Sequence, residues 1–202
     1  PPVERFGIGF VQGAKAAKSD IKVMYNYSGT FSDTNKGKTL AATMYDSGAD
    51  VIFVAAGNTG NGVISEAKER GIIDMSKSGE IKHWVVGVDK DQYEEGIFKG
   101  KDKDGKEYQK SAILTSAVKN IEVAVTKILN EIKEGKFSKG EHIFGIKENG
   151  VGIPKENPNL SEEAKTKIAK AIEELKSGKV EVAATGDELK AKGLGTNLEG
   201  EL

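Results

Sequence analysis

The chain has 202 residues, 30 Lys and Arg against 31 Asp and Glu, and no cysteine. The near-balance of charge lacks the basic excess of a nucleic-acid binder. The missing thiols exclude disulfides, Cys-zinc sites and thiol catalysis. No apolar run is long enough to span a bilayer as a helix, and 37% apolar with 30% charged residues suits an α/β fold with heavily charged helices.

In chain order, Pro2 to Ser19 reads as a helix with Val3, Phe6, Phe10, Ala14 and Ala17 on one face. That face needs a partner, and self-association through it is an expectation. Ile21 to Tyr27 reads as the first strand. Asp33 or Thr34 caps the next helix, which Gly48 stops. Strand 50–56 follows, then a helix from Gly60 to Arg70 stopped by Gly71. His83-Trp84-Val85-Val86-Gly87-Val88-Asp89 is a third, buried strand that stops on a carboxylate. Two βαβ units in a row imply right-handed crossovers and a parallel sheet.

Residues 90–110 are polar and charged, and their core, 99–106, reads as an exposed hairpin or loop. Asp102-x-Asp104-Gly105 hints at a calcium loop, but the remaining ligands and closing Glu are missing, so no metal is expected. Ser111 to Val118 is a fourth strand. Lys119 to Glu134 is a helix with Ile121, Val125, Ile128, Leu129 and Ile132 on one face, ended by Gly135. Asn149-Gly150 between apolar runs predicts a hairpin of 142–147 with 151–153. Ser161 caps a further helix, 179–183 reads as a short strand, and 185–202 as a loose tail.

Ligands of open α/β sheets bind outside the carboxyl ends of the strands. Four loops should open there: 29–33, 57–62, 89–92 and 116–120. Phe31 is off any apolar stripe; it either stacks on a flat ligand or plugs the helix start. Gly57 allows close backbone approach or simply makes a tight turn. Gly-x-x-Gly-x-Gly from Gly57 is neither the dinucleotide fingerprint nor a P-loop. Asp89 either accepts from vicinal hydroxyls or caps the next segment. Lys119, a cation where a helix begins, is disfavoured by the dipole and is a candidate ligand donor, or else a solvated lysine. No nucleophile–base pair, His–carboxylate pair or metal set falls in these loops. Binding without chemistry, no cofactor and no catalytic residue are therefore expected.

The residues also resemble a known family. Phe6-x-x-Gly9-Phe10-x-x-Gly13-Ala14-Lys15, Phe31-x-Asp33-x-x-Lys36-Gly37, Met44-Tyr45-x-x-Gly48-Ala49-Asp50, Ala55-Ala56-Gly57-x-Thr59-Gly60-x-Gly62, Gly87-Val88-Asp89-x-Asp91-Gln92 and Ile113-Leu114-Thr115-Ser116-x-x-Lys119 occur in the order found in the basic membrane protein family of lipoproteins. Its best-understood members are purine-nucleoside receptors of ABC transporters.

The resemblance implies a periplasmic-binding-protein-like α/β lobe of the ribose-receptor type, its mainly parallel sheet flanked by helices. It implies that 1–118 is the C-terminal-type lobe and 119–141 a helix crossing toward an N-terminal lobe that would precede Pro1. Residues 142–184 would return to the lobe, with 2–18 near the hinge. It further implies that Phe31 stacks on a purine, Gly57 admits the ligand, Asp89 holds ribose hydroxyls and Lys119 donates to the ribose. Asn58 departs from the family's usual Gly. The implied ligand is guanosine, adenosine or inosine, the implied partner a membrane permease, and the implied place extracytoplasmic and lipid-anchored. The alternatives are an effector lobe of a transcription regulator and a Rossmann-like nucleotide-dependent enzyme.

Overall fold

The computed structural model describes residues 2–195 and 198–199. Its centre is a four-stranded sheet in the order β2 (Val51–Phe53), β3 (Trp84–Asp89), β6 (Ile113–Lys119), β7 (Val151–Gly152). The first three strands are parallel and β7 runs antiparallel to β6. The expected mainly parallel α/β sheet with flanking helices is what forms. β3 lies between two neighbours, and Val85 is fully buried as the middle of the sheet requires.

Helix α2 (Thr34–Asp46) begins where the Asp33 carboxylate accepts from the Lys36 amide at 2.9 Å. Helix α3 (Thr59–Ser78) packs beside it, and Ala41, Tyr45, Val63, Ile64 and Ala67 join Ile52, Val54, Val85 and Ile113 in the main core. Strand alternation turns Phe53 to the other face of β2. There helix α1 (Pro2–Ala17) covers it, with Phe10 stacked at 5.2 Å and Phe6 tilted at 6.1 Å. The face of α1 is thus satisfied within the chain: Ile8 and Val11 are fully buried with Val23, Ala183 and Leu189. The exposed face expected on 2–18 is not there.

Several expectations are corrected. α3 does not stop at Gly71. A Cβ there would lie 2.6 Å from the Phe98 ring, so this glycine seats an aromatic side chain. The stop is Gly79, left-handed at φ 78°, its amide bonded to the Met75 carbonyl at 3.0 Å. The first strand shrinks to β1 (Val23–Met24), paired in parallel with β8 (Leu198–Glu199) and not with the central sheet. The hairpin expected at 99–106 does form, from the antiparallel pair β4 (Ile97–Lys101) and β5 (Glu107–Ser111). At its tip the Asp102 carboxylate accepts from the Asp104 and Lys106 amides, both at 2.9 Å, and so closes the turn.

No hairpin forms at Asn149-Gly150. Residues 146–149 are a turn, and β7 pairs with the end of β6 instead. Residues 179–183 are not a strand. Their backbone is held by Gln12, whose amide donates to the Glu181 carbonyl at 2.9 Å and accepts from Ala183 N–H at 2.8 Å. The tail is not loose throughout: Thr185 caps α6 (Gly186–Ala191), and Leu189 is fully buried. Residues 196–197 and 200–202 of that expected tail lie outside the described residues. Helix α5 (Glu162–Lys176) begins on Ser161 as expected, its hydroxyl accepting from the Ala164 amide. Helix α4 (Ile121–Lys133) buries none of its residues and leaves Ile121, Val125, Leu129 and Ile132 exposed along one side.

Candidate functional site

β2, β3 and β6 run parallel, so the segments that follow them open on one edge. Phe53 leads toward Gly57, β3 ends on Asp89, and β6 ends on Lys119. The fourth segment, carrying Phe31, is fastened to this edge by the start of α3. Thr59 N–H donates to the Phe31 carbonyl at 3.3 Å, and the buried Thr59 hydroxyl donates to the Thr30 carbonyl at 3.1 Å.

Phe31 itself stands in solvent, 63% exposed, so the ring does not plug the start of α2. Gly57 lies directly against it. Its φ is 55°, and a Cβ built there would come within 3.0 Å of the Phe31 carbonyl oxygen and 3.4 Å of its Cβ. The glycine serves the seating of the Phe31 loop, and any ligand approach would share that gap. Gly62 packs against the Thr34 carbonyl where α3 crosses α2, so it is a helix-crossing residue and not part of an anion cradle.

Asp89 and Lys119 meet. Lys119 Nζ lies 2.7 Å from Asp89 Oδ1, with both side chains about half exposed. The pair forms where β3 and β6 end side by side: Asp89 lies opposite Val118, and the left-handed backbone at Asp89 departs from strand alternation, so its carboxylate reaches the next residue, Lys119. Lys119 is therefore the last residue of a strand held by a carboxylate, not a cation at a helix start. Its ammonium also lies 5.2 Å from the Phe6 ring centre, which links the pair through Phe6 to Phe53. So exposed an ion pair contributes at most about 1 kcal/mol to folding. Its carboxylate and ammonium stay accessible as acceptor and donor.

Sequence reasoning missed Phe6 as a neighbour of Lys119, because its place on the apolar stripe of α1 reads as plain core. It missed Thr59, hidden in the glycine-rich turn. It also missed Gln92 and Ser116, whose contacts are tertiary: Gln92 Oε1 accepts from Val88 N–H at 2.9 Å, and Ser116 Oγ accepts from Gln92 N–H at 3.1 Å. On the segment that leads to the Phe31 loop, Tyr25 donates to the Tyr27 hydroxyl at 3.4 Å, and burial first, then that hydroxyl, push the Tyr25 phenol up.

The four residues lie along one exposed sheet edge, an open ledge with Phe31, Asp89 and Lys119 facing solvent. Two hollows lie along Glu122, Thr126 and Asn130 of α4, and between Ile153–Pro158 and α5. Among the described residues, no group of three or more His, Asp or Glu is placed to hold a metal ion. The ledge offers one exposed aromatic face, one acceptor and one donor. That set suits a flat ligand bearing hydroxyls.

Over residues 1–185 the chain matches the family Bmp, described as ABC transporter substrate-binding protein PnrA-like. It is 43% identical over 181 residues to the ABC transporter nucleoside-binding protein BmpA of Lactococcus lactis subsp. cremoris, covering 89% of this chain and 49% of that protein. It is 36% identical to the CD4+ T-cell-stimulating antigen of Listeria monocytogenes, with 89% and 48% covered. The chain thus spans about half the length of the curated relatives it matches. Among solved structures it is similar to a solute-binding protein of an ABC transporter system from Aeropyrum pernix, with TM-score 0.67 and 23% identity over 96% of this chain and 60% of that one. It is also similar to a transcriptional activator of the comK gene from Bacillus halodurans, with TM-score 0.66 and 20% identity over 85% and 52%. At such identities these two likenesses speak for the fold.

Proposed function

The chain belongs to the Bmp family of ABC transporter substrate-binding proteins, a family of binding proteins and not enzymes, and from that premise we propose that it binds purine nucleosides for delivery to a membrane permease. The observation that carries this is the pairing of Asp89 with Lys119 beside exposed Phe31 on one sheet edge. Phe31 stacks on the base. Gly57 sets the backbone that seats it. Asp89 accepts from the ribose hydroxyls, and Lys119 turns from carboxylate to sugar. The naming of the Lactococcus relative as nucleoside-binding supports a nucleoside as the ligand class, with guanosine, adenosine and inosine the candidates.

The ledge is one wall of a cleft, and the unburied stripe of α4 is the surface a second lobe would cover. The protein works outside the cytoplasm, tethered by a lipid. No helix among the described residues is long and apolar enough to cross a membrane. The likeness to a transcriptional activator extends to the fold, whereas the family match carries the transport reading.

The test titrates guanosine, adenosine, inosine and free ribose into this chain and into the Lactococcus relative. Nucleosides should bind both, more tightly in the longer protein, with free ribose undetected. Asp89→Ala should weaken nucleoside binding by about 10- to 100-fold, the loss expected for hydrogen bonds to a charged group. Free ribose binding as well as the nucleosides, or an unaffected Asp89→Ala, would overturn the assignment.

A further inference from the structure

We infer that Gln92 is the positioning residue that aims Asp89, a role that rests on the nucleoside reading given above. Asp89 has φ 70°, in the left-handed region that side-chain-bearing residues seldom occupy. Lys90 N–H donates to the Val88 carbonyl at 2.9 Å across it. Asp89 is thus the centre of a γ-turn of the rare, positive-φ kind, a strained arrangement that persists only where its surroundings over-determine it.

The surroundings are visible. β2 pairs with β3 as far as Phe53 opposite Val86, where Val54 N–H donates to the Val86 carbonyl. Two residues on, Val88 turns its amide to the same side, past the end of the described pairing. Without a partner that N–H would be an orphan. Gln92 Oε1 takes the place of the absent strand and accepts from it at 2.9 Å. Gln92 is in turn pinned through its own N–H to the hydroxyl of Ser116, which is 0% exposed on β6. Position 87 must be glycine for this to fit: a Cβ there would lie 2.6 Å from Gln92 Oε1 and 2.8 Å from Ser116 Oγ.

Both backbone groups of Val88 are therefore held, its N–H by Gln92 and its carbonyl by Lys90, and Asp89 has no freedom to relax into an extended conformation. In that conformation its carboxylate meets Lys119. Released, the turn would swing Asp89 away from Lys119 and from the ribose.

The experiment compares the chain with Gln92→Leu, which removes the acceptor, and Gln92→Glu, which keeps an oxygen there; Ser116→Ala releases the pin without removing the acceptor. In the ligand-free chain, the Val88 amide exchange rate and the Asp89 N–H to Hα coupling are read by NMR. Gln92→Leu should speed Val88 exchange by about tenfold or more, as loss of a hydrogen bond allows, and shift the Asp89 coupling. Gln92→Glu should restore both, and Ser116→Ala should fall between.

With ligand, guanosine and 2′,3′-dideoxyguanosine are compared by saturation transfer. Gln92→Leu should weaken guanosine by about tenfold and leave the dideoxy analogue unchanged. Unchanged exchange and coupling in Gln92→Leu would overturn the positioning role. If the unaltered chain does not distinguish guanosine from its dideoxy analogue, the nucleoside reading falls, while exchange and coupling still decide what Gln92 does.

Discussion

Gly57 and Phe31 are a single structural decision. The left-handed φ of 55° and the 3.0 Å gap to the Phe31 carbonyl leave no room for a methyl group without moving one of them. Gly57→Ala should cost about 1–2 kcal/mol in urea unfolding, from backbone strain and the displaced loop. Tyr45, at the other end of the sheet, shows how a buried hydroxyl sets a pH limit. Its O–H donates to the Trp84 carbonyl at 2.9 Å, and burial pushes its phenol well up. A phenol raised above its unfolded value of about 10 leaves stability whole below about pH 10 and erodes it as pH rises further. Tyr45→Phe should lower the neutral-pH unfolding free energy by about 1 kcal/mol and make the fall in Tm above pH 10 shallower.

At the scale of elements, glycine carries opposite meanings in two helices. Gly71 faces the Phe98 ring inside α3, while an added Cβ at Gly13 of α1 would meet nothing within 4 Å. Gly13→Ala should stabilise by about 0.5–1 kcal/mol, the propensity difference alone. Gly71→Ala gains the same propensity but overpacks against Phe98, a cost of about 1–3 kcal/mol, and should come out destabilised. Paired urea titrations give the two signs. This contrast explains one misread boundary. In sequence, Gly71 after a periodic run is indistinguishable from a stop, and only the hairpin that packs on α3 shows it to be a seat.

For the whole molecule, among the described residues an unburied apolar stripe lies on α4 and not on α1. Ile121, Val125, Leu129 and Ile132 are exposed together. Val125→Lys with Leu129→Lys should leave the unfolding free energy of this chain within about 0.5 kcal/mol, because no packing is lost. The same pair should reduce binding of a hydrophobic dye and any self-association seen by sedimentation. A clear loss of stability would mean that α4 is packed in solution.

What the sequence determined by itself is what local pattern and chain order carry. The apolar run ending in Asp89, the Asp33 and Ser161 caps, the βαβ order and hence the parallel sheet all rest on residues near one another in the chain. So does the placing of Phe31 and Gly57 in loops and of Asp89 and Lys119 at or beside the ends of strands. The tertiary structure alone decided what those residues touch. The adjacency of β3 and β6 together with the left-handed turn at Asp89 closes the Asp89–Lys119 pair, and α1 folding over β2 brings Phe6 beneath the lysine. Gln12 in place of a strand partner, β7 in place of a hairpin, and Gln92 in place of a departing strand are likewise set at a distance. Each is a backbone group left unpaired by its neighbours and satisfied by whatever side chain or strand the fold delivers, and no periodicity in sequence encodes that delivery.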